Sequence, residues 1–177
     1  MHGNICRVVV IILFISSLSS ISWAHELKSR FTTIVYNSED LVRKFNKELS
    51  LGRLSYLLKN RPGITVEDEV GNKVDVIIER VETILEMFPR DVKFTIILLP
   101  SEDEVQAVYK NKYGRSVDYI AFYAPKDRIL YISVRDVDIG VLAHEIAHVI
   151  IDFYYGISTP TKIHEVLAQY VETHLKD

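Results

Sequence analysis

The chain has 177 residues, the length of one domain, with 48% hydrophobic and 25% charged side chains, a globular balance. Its net charge of −3 offers no basic field for nucleic acid or an anionic membrane. A single cysteine, Cys6, excludes a disulfide framework, a cysteine-ligated zinc module and an iron–sulfur centre.

Residues 1–24 read as a secretory signal peptide. Arg7 precedes an unbroken apolar run from Val8 to Ile15, and Ser22-Trp23-Ala24 puts small residues where a signal peptidase reads. The run is far short of the roughly 18–20 residues that cross a bilayer, so no stable membrane span is expected after cleavage behind Ala24. The expected location is therefore secreted or periplasmic, and residues 25–177 contain no cysteine.

Phe31 to Tyr36 is rich in β-branched and aromatic residues and predicts a strand. Ser38-Glu39-Asp40 caps a helix with apolar positions Leu41, Val42, Phe45 and Leu49. Residues 50–66 carry no clear period, and Arg61-Pro62-Gly63 breaks them. From Asn72 to Phe88 the apolar set Val74, Ile77, Ile78, Val81, Ile84, Leu85 and Phe88 predicts a long helix stopped by Pro89. Val92 to Leu99 reads as a buried central strand, and Ser101-Glu102-Asp103-Glu104 as a capping-box start for a helix to Lys112. Asp118–Ala124 and Ile129–Val134 predict a hairpin across Pro125-Lys126-Asp127. Two helices, 138–155 and 160–175, finish an α+β domain spanning 25–177. Thr159 and Pro160 are the expected cap and first residue of the second.

The chemistry is concentrated on those two helices. His144-Glu145-Ile146-Ala147-His148 is an H-E-x-x-H pattern. At 100° per residue, histidines four apart lie on one face, one turn above each other, so their imidazoles can share a zinc ion. Glu145 is turned about 100° from His144, where it can reach a water at the metal as general base. The plain alternative is a helix with two surface histidines. Against it, Ile139, Leu142, Ile146, Val149, Ile150 and Phe153 form a core stripe on the opposite side, Asp136 or Asp138 can cap the start, and Gly156 can end it.

Two histidines need at least one further ligand. A third histidine six residues after His148 is absent, since Tyr154 stands there, and Asp152 lies a further turn along the same axis. His164 and Glu165 on the final helix remain. Glu165 opens the polar face Glu165, Gln169, Glu172, whereas His164 is expected to turn toward Val171 and Leu175. A solvated helix face is the plain alternative for Glu165, weakened by a zinc-type helix shortly before it.

His144-Glu145-Ile146-Ala147-His148 followed by His164-Glu165-Val166-Leu167-Ala168-Gln169-Tyr170 resembles the gluzincins, which pair H-E-x-x-H with a later E-G-L-A-x-Y segment. The likeness is greatest to small peptidase-MA-like, or minigluzincin, domains. It implies a zincin-like fold: a small twisted sheet with a backing helix, then an active-site helix and a second zinc-ligand helix. It also implies Zn2+ held by His144, His148 and Glu165, Glu145 as the base, and hydrolysis of a peptide or protein substrate. Two departures stand out. Val166 replaces the usual Gly, and Gln169 stands where an acid often supports a ligand histidine, a role that would shift to Glu172 or Asp152. Tyr123, Tyr154, Tyr155, His164 and His174 are all candidates to stabilise an oxyanion. The substrate is expected to add as a strand to the hairpin edge. So little chain follows Glu165 that a shallow cleft is expected. A catalytically silent zinc-binding or partner-binding module of the same fold, and a non-peptidase zinc amide hydrolase, are the competing readings.

Overall fold

Alternating burial along short β-branched segments builds a five-stranded mixed sheet in the computed structural model, which describes residues 25–156 and 159–175. The signal peptide expected over 1–24 lies outside the described residues. Strands β1 (His25–Lys28), β2 (Thr32–Tyr36), β3 (Phe94–Leu99), β4 (Ala121–Ala124) and β5 (Ile129–Ser133) are ordered β1-β2-β3-β5-β4. β2, β3 and β5 run parallel, while β1 and β4 pair antiparallel at the two edges. The chain is thus α+β with a mixed sheet.

Register sets which side chains share a face. Leu27, Ile34, Ile96, Leu130 and Tyr123 are consecutive partners across all five strands, so they form one row. This face is covered by α1 (Glu39–Glu48), α2 (Val66–Leu85) and α4 (Ile139–Tyr155), and α5 (Thr161–His174) packs on α2 and α4. The opposite face carries α3 (Glu102–Tyr113), whose Val105 and Tyr109 close on Phe122 and Ala124. β4 is therefore an edge strand with a helix on either side and a free flank.

Several elements differ from expectation. β1 is an added strand, and a 3-10 helix (Gly52–Leu58) occupies the segment without a period. α2 begins at Val66, six residues before the predicted start. Thr65 and Asp68 exchange side-chain and backbone hydrogen bonds there, satisfying amides that an uncapped start would strand. It stops at Leu85, before Pro89, with Glu86 in the left-handed conformation at φ 53°, and Phe88 is 64% exposed, outside the core stripe. α3 does start after Ser101, but the Ser101 side chain makes no capping bond. Nor does Thr159 cap α5: Pro160 is the N-cap, and the buried Thr159 hydroxyl has no hydrogen-bond partner.

α2 also buries two acids, Asp75, bonded to Ser29 and the Arg30 amide, and Glu82, which is held at a cost. Burial pushes the Glu82 carboxyl above its ordinary 4.5, with Arg30 opposing and Glu79 adding to the rise. The folded state then holds this proton more tightly than the unfolded chain. Stability is lost as pH climbs from about 4.5 through the raised value. Glu82→Gln is expected to raise the melting temperature at pH 8 and to change it little at pH 4. Equal shifts in thermal melts at both values would contradict this.

Candidate metal centre

α4 is held at both ends by local chemistry. Asp138 accepts from the Val141 amide at 2.9 Å to start the helix, and Gly156 takes φ 62° to end it. Ile139, Leu142, Ala143, Ile146, Ala147, Val149, Ile150 and Ile151 are buried against the sheet and α2, which fixes the helix rotation. His144, Glu145 and His148 are consequently turned out of the core, half-buried, toward α5 and the free flank of β4.

The residues predicted from H-E-x-x-H and the second helix do come together. One ligand atom each from His144, His148 and Glu165 lie within 4.8 Å of one another. Glu165 Oε2 is 3.5 Å from His144 Nε2, and its Oε1 is 3.7 Å from His148 Nε2. A tetrahedral ion with ligands at about 2.0–2.1 Å has ligand–ligand edges of roughly 3.3 Å. These separations, and a donor set of two imidazoles and one carboxylate, fit a zinc-sized divalent cation. The same set also suits other divalent ions.

Electrostatics hold His148 in the form that a cation needs and act the other way on Glu145. Burial, with His144 and His164 adding, pulls His148 down to about 3, so the imidazole is neutral. Glu145 is pushed up to about 8 by burial; the Tyr123 backbone amide, which donates to its carboxylate, opposes this, and the Glu165 charge adds to it. A divalent cation beside Glu145 would draw it back toward the ionised form.

The surrounding residues sort the remaining candidates. His164 shares the face of Val171 and Leu175 as expected, and there its Nδ1 lies 3.4 Å from His148 Nδ1 with the rings stacked at 5.6 Å. Glu172 Oε2 is 3.4 Å from His144 Nδ1, and both Glu172 and Gln169 are exposed. Asp152 accepts from the Tyr123 hydroxyl at 3.3 Å, and burial with that carboxylate raises the phenol well above its ordinary value. Of the five oxyanion candidates, Tyr123 and His164 line the cleft. Tyr154 and Tyr155 are exposed and pack on each other, and His174 packs on Tyr170. No spacing rule could have found the Tyr123–Glu145 contact, which joins an edge strand to a helix distant in sequence.

The cleft, of about 1050 Å³, follows the flank of β4 between the α3 end and the α4–α5 pair. Hydrogen-bond parity tells which backbone groups face it. Ser133 N–H donates to Ile120 C=O at 2.9 Å and Asp127 N–H to Ala124 C=O at 3.2 Å, so even-numbered residues bond inward. Ala121 and Tyr123 turn their backbone groups outward, the Tyr123 amide toward Glu145.

Among the described residues, no helix is long and apolar enough to cross a membrane. Comparison with family models, with curated proteins and with solved structures gives no match to this chain.

Proposed function

We propose that the protein is an exported zinc metallopeptidase of gluzincin type and zincin-like fold, hydrolysing peptide bonds with Glu145 as general base. The observation that carries this reading is the convergence of His144 Nε2 and His148 Nε2 on the two oxygens of Glu165, with Glu145 in the same cleft. His144, His148 and Glu165 would hold the ion. Zinc bound there supplies Lewis acidity and lowers the pKa of a water toward about 7.

The chain's own groups then divide the work. Glu145, turned about 100° from His144 on the same helix, takes a proton from the attacking water and delivers it to the leaving amine. An extended peptide aligned along β4 would meet the outward backbone groups of Ala121 and Tyr123, the pairing of β-augmentation.

An acid at position 145 favours hydrolysis over a silent module, because holding zinc requires only the ligands. The expected result is cleavage of an unbiased peptide library that stops on chelation and returns with stoichiometric zinc. Zinc uptake without cleavage would support the silent zinc-binding or partner-binding module. Hydrolysis confined to non-peptide amides would support the other hydrolase.

A further inference from the structure

Each imidazole on α4 has one nitrogen turned to Glu165 and the other turned to a second residue of α5. His144 directs Nε2 to Glu165 at 3.5 Å and Nδ1 to Glu172 at 3.4 Å. His148 directs Nε2 to Glu165 at 3.7 Å and Nδ1 to His164 Nδ1 at 3.4 Å. We propose that Glu172 and His164 are positioning residues of this centre, Glu172 fixing the ring of His144 and His164 fixing that of His148. The inference rests on the metal-site reading above.

Imidazole tautomerism gives the physical reason. A neutral histidine has one N–H and one lone pair, and only the lone pair can bind a cation. An acceptor held against Nδ1 keeps the proton there and leaves Nε2 bare, facing Glu165. A carboxylate offers acceptor oxygens, so Glu172 beside Nδ1 favours this tautomer of His144. His164 does the same for His148 when its own proton sits on Nε2. Both α4 ligands would then share one tautomer, set from a single neighbouring helix.

Helix geometry explains how α5 does three things at once. Glu172 is seven residues beyond Glu165, about two turns, so both project from one side. α5 runs antiparallel to α4, with Glu172 beside His144 and His164 beside His148.

The test is zinc affinity of the mature chain, by competition with a chromophoric chelator, for Glu172→Ala, Glu172→Gln, His164→Ala, His164→Asn and Gln169→Ala. Glu172→Ala and His164→Ala are expected to weaken zinc roughly 10–100-fold. Glu172→Gln and His164→Asn, which keep an acceptor, are expected to recover part of that loss. Gln169→Ala should leave zinc affinity unchanged. Melting temperatures without metal, read in parallel, are expected to stay near wild type, and Co2+ absorption bands to shift in the weakened variants alone. A wild-type chain that takes up no zinc overturns the underlying site. Wild-type uptake with unchanged affinity in both alanine variants overturns this proposal alone, and so does a loss that tracks melting temperature.

Discussion

Glu145→Gln is expected to retain stoichiometric zinc while peptide hydrolysis falls by about 10²–10⁴-fold. The amide is nearly isosteric with the carboxylate, so packing beside Tyr123 survives. It cannot accept a proton from water at any working pH, and that step is the one assigned to this residue. Glu145 is not among the three converging ligands, and its carboxylate is engaged by a backbone amide of the edge strand. Metal analysis and a quenched-fluorescence peptide assay on the same preparation separate the two roles. Undiminished cleavage would remove Glu145 from the mechanism. Loss of zinc together with activity would make it a ligand.

Loss of a ligand should produce the opposite pattern. His148→Ala and Glu165→Ala are each expected to abolish both zinc retention and hydrolysis, a larger effect than the roughly 10–100-fold assigned to outer partners. The two substitutions test different helices. His148 is half-buried on α4 and neutral, so its removal deletes a nitrogen donor without removing a charge. Glu165 is exposed on α5 and contributes the anionic oxygens that meet both imidazoles. If Glu165→Ala alone kept wild-type zinc, His164 would be the remaining candidate on that helix, and the ligand set would have to be redrawn.

Chemistry carried within one helix was the most legible part of this chain. Residues four apart on α4 face one way whatever the tertiary structure, so the sharing of a face by His144 and His148 needed only helical geometry. The core stripe of α4, its Asp138 cap and its Gly156 stop are equally local. Relations between elements were less legible. His164 was legible as part of the apolar face of α5, but packing Ala168 and Val171 of that face into the core also brings His164 against His148, a contact between helices that α5 alone does not encode. β1 escaped notice because one residue of its four, Leu27, is buried, which leaves no alternation to detect. The early start of α2 was hidden by an acidic first turn. There Glu67, Asp68 and Glu69 interrupt the apolar spacing while favouring a helix N-terminus.

The central claim is that two imidazoles of α4 and one carboxylate of α5 hold a single zinc ion. X-ray absorption at the zinc edge of the zinc-loaded mature chain measures that ligand set directly. The predicted result is stoichiometric zinc with two imidazole nitrogens at about 2.0–2.1 Å and light-atom ligands completing the shell, with no zinc retained by His148→Ala. Substoichiometric zinc, or a shell of oxygens without imidazole, would contradict it.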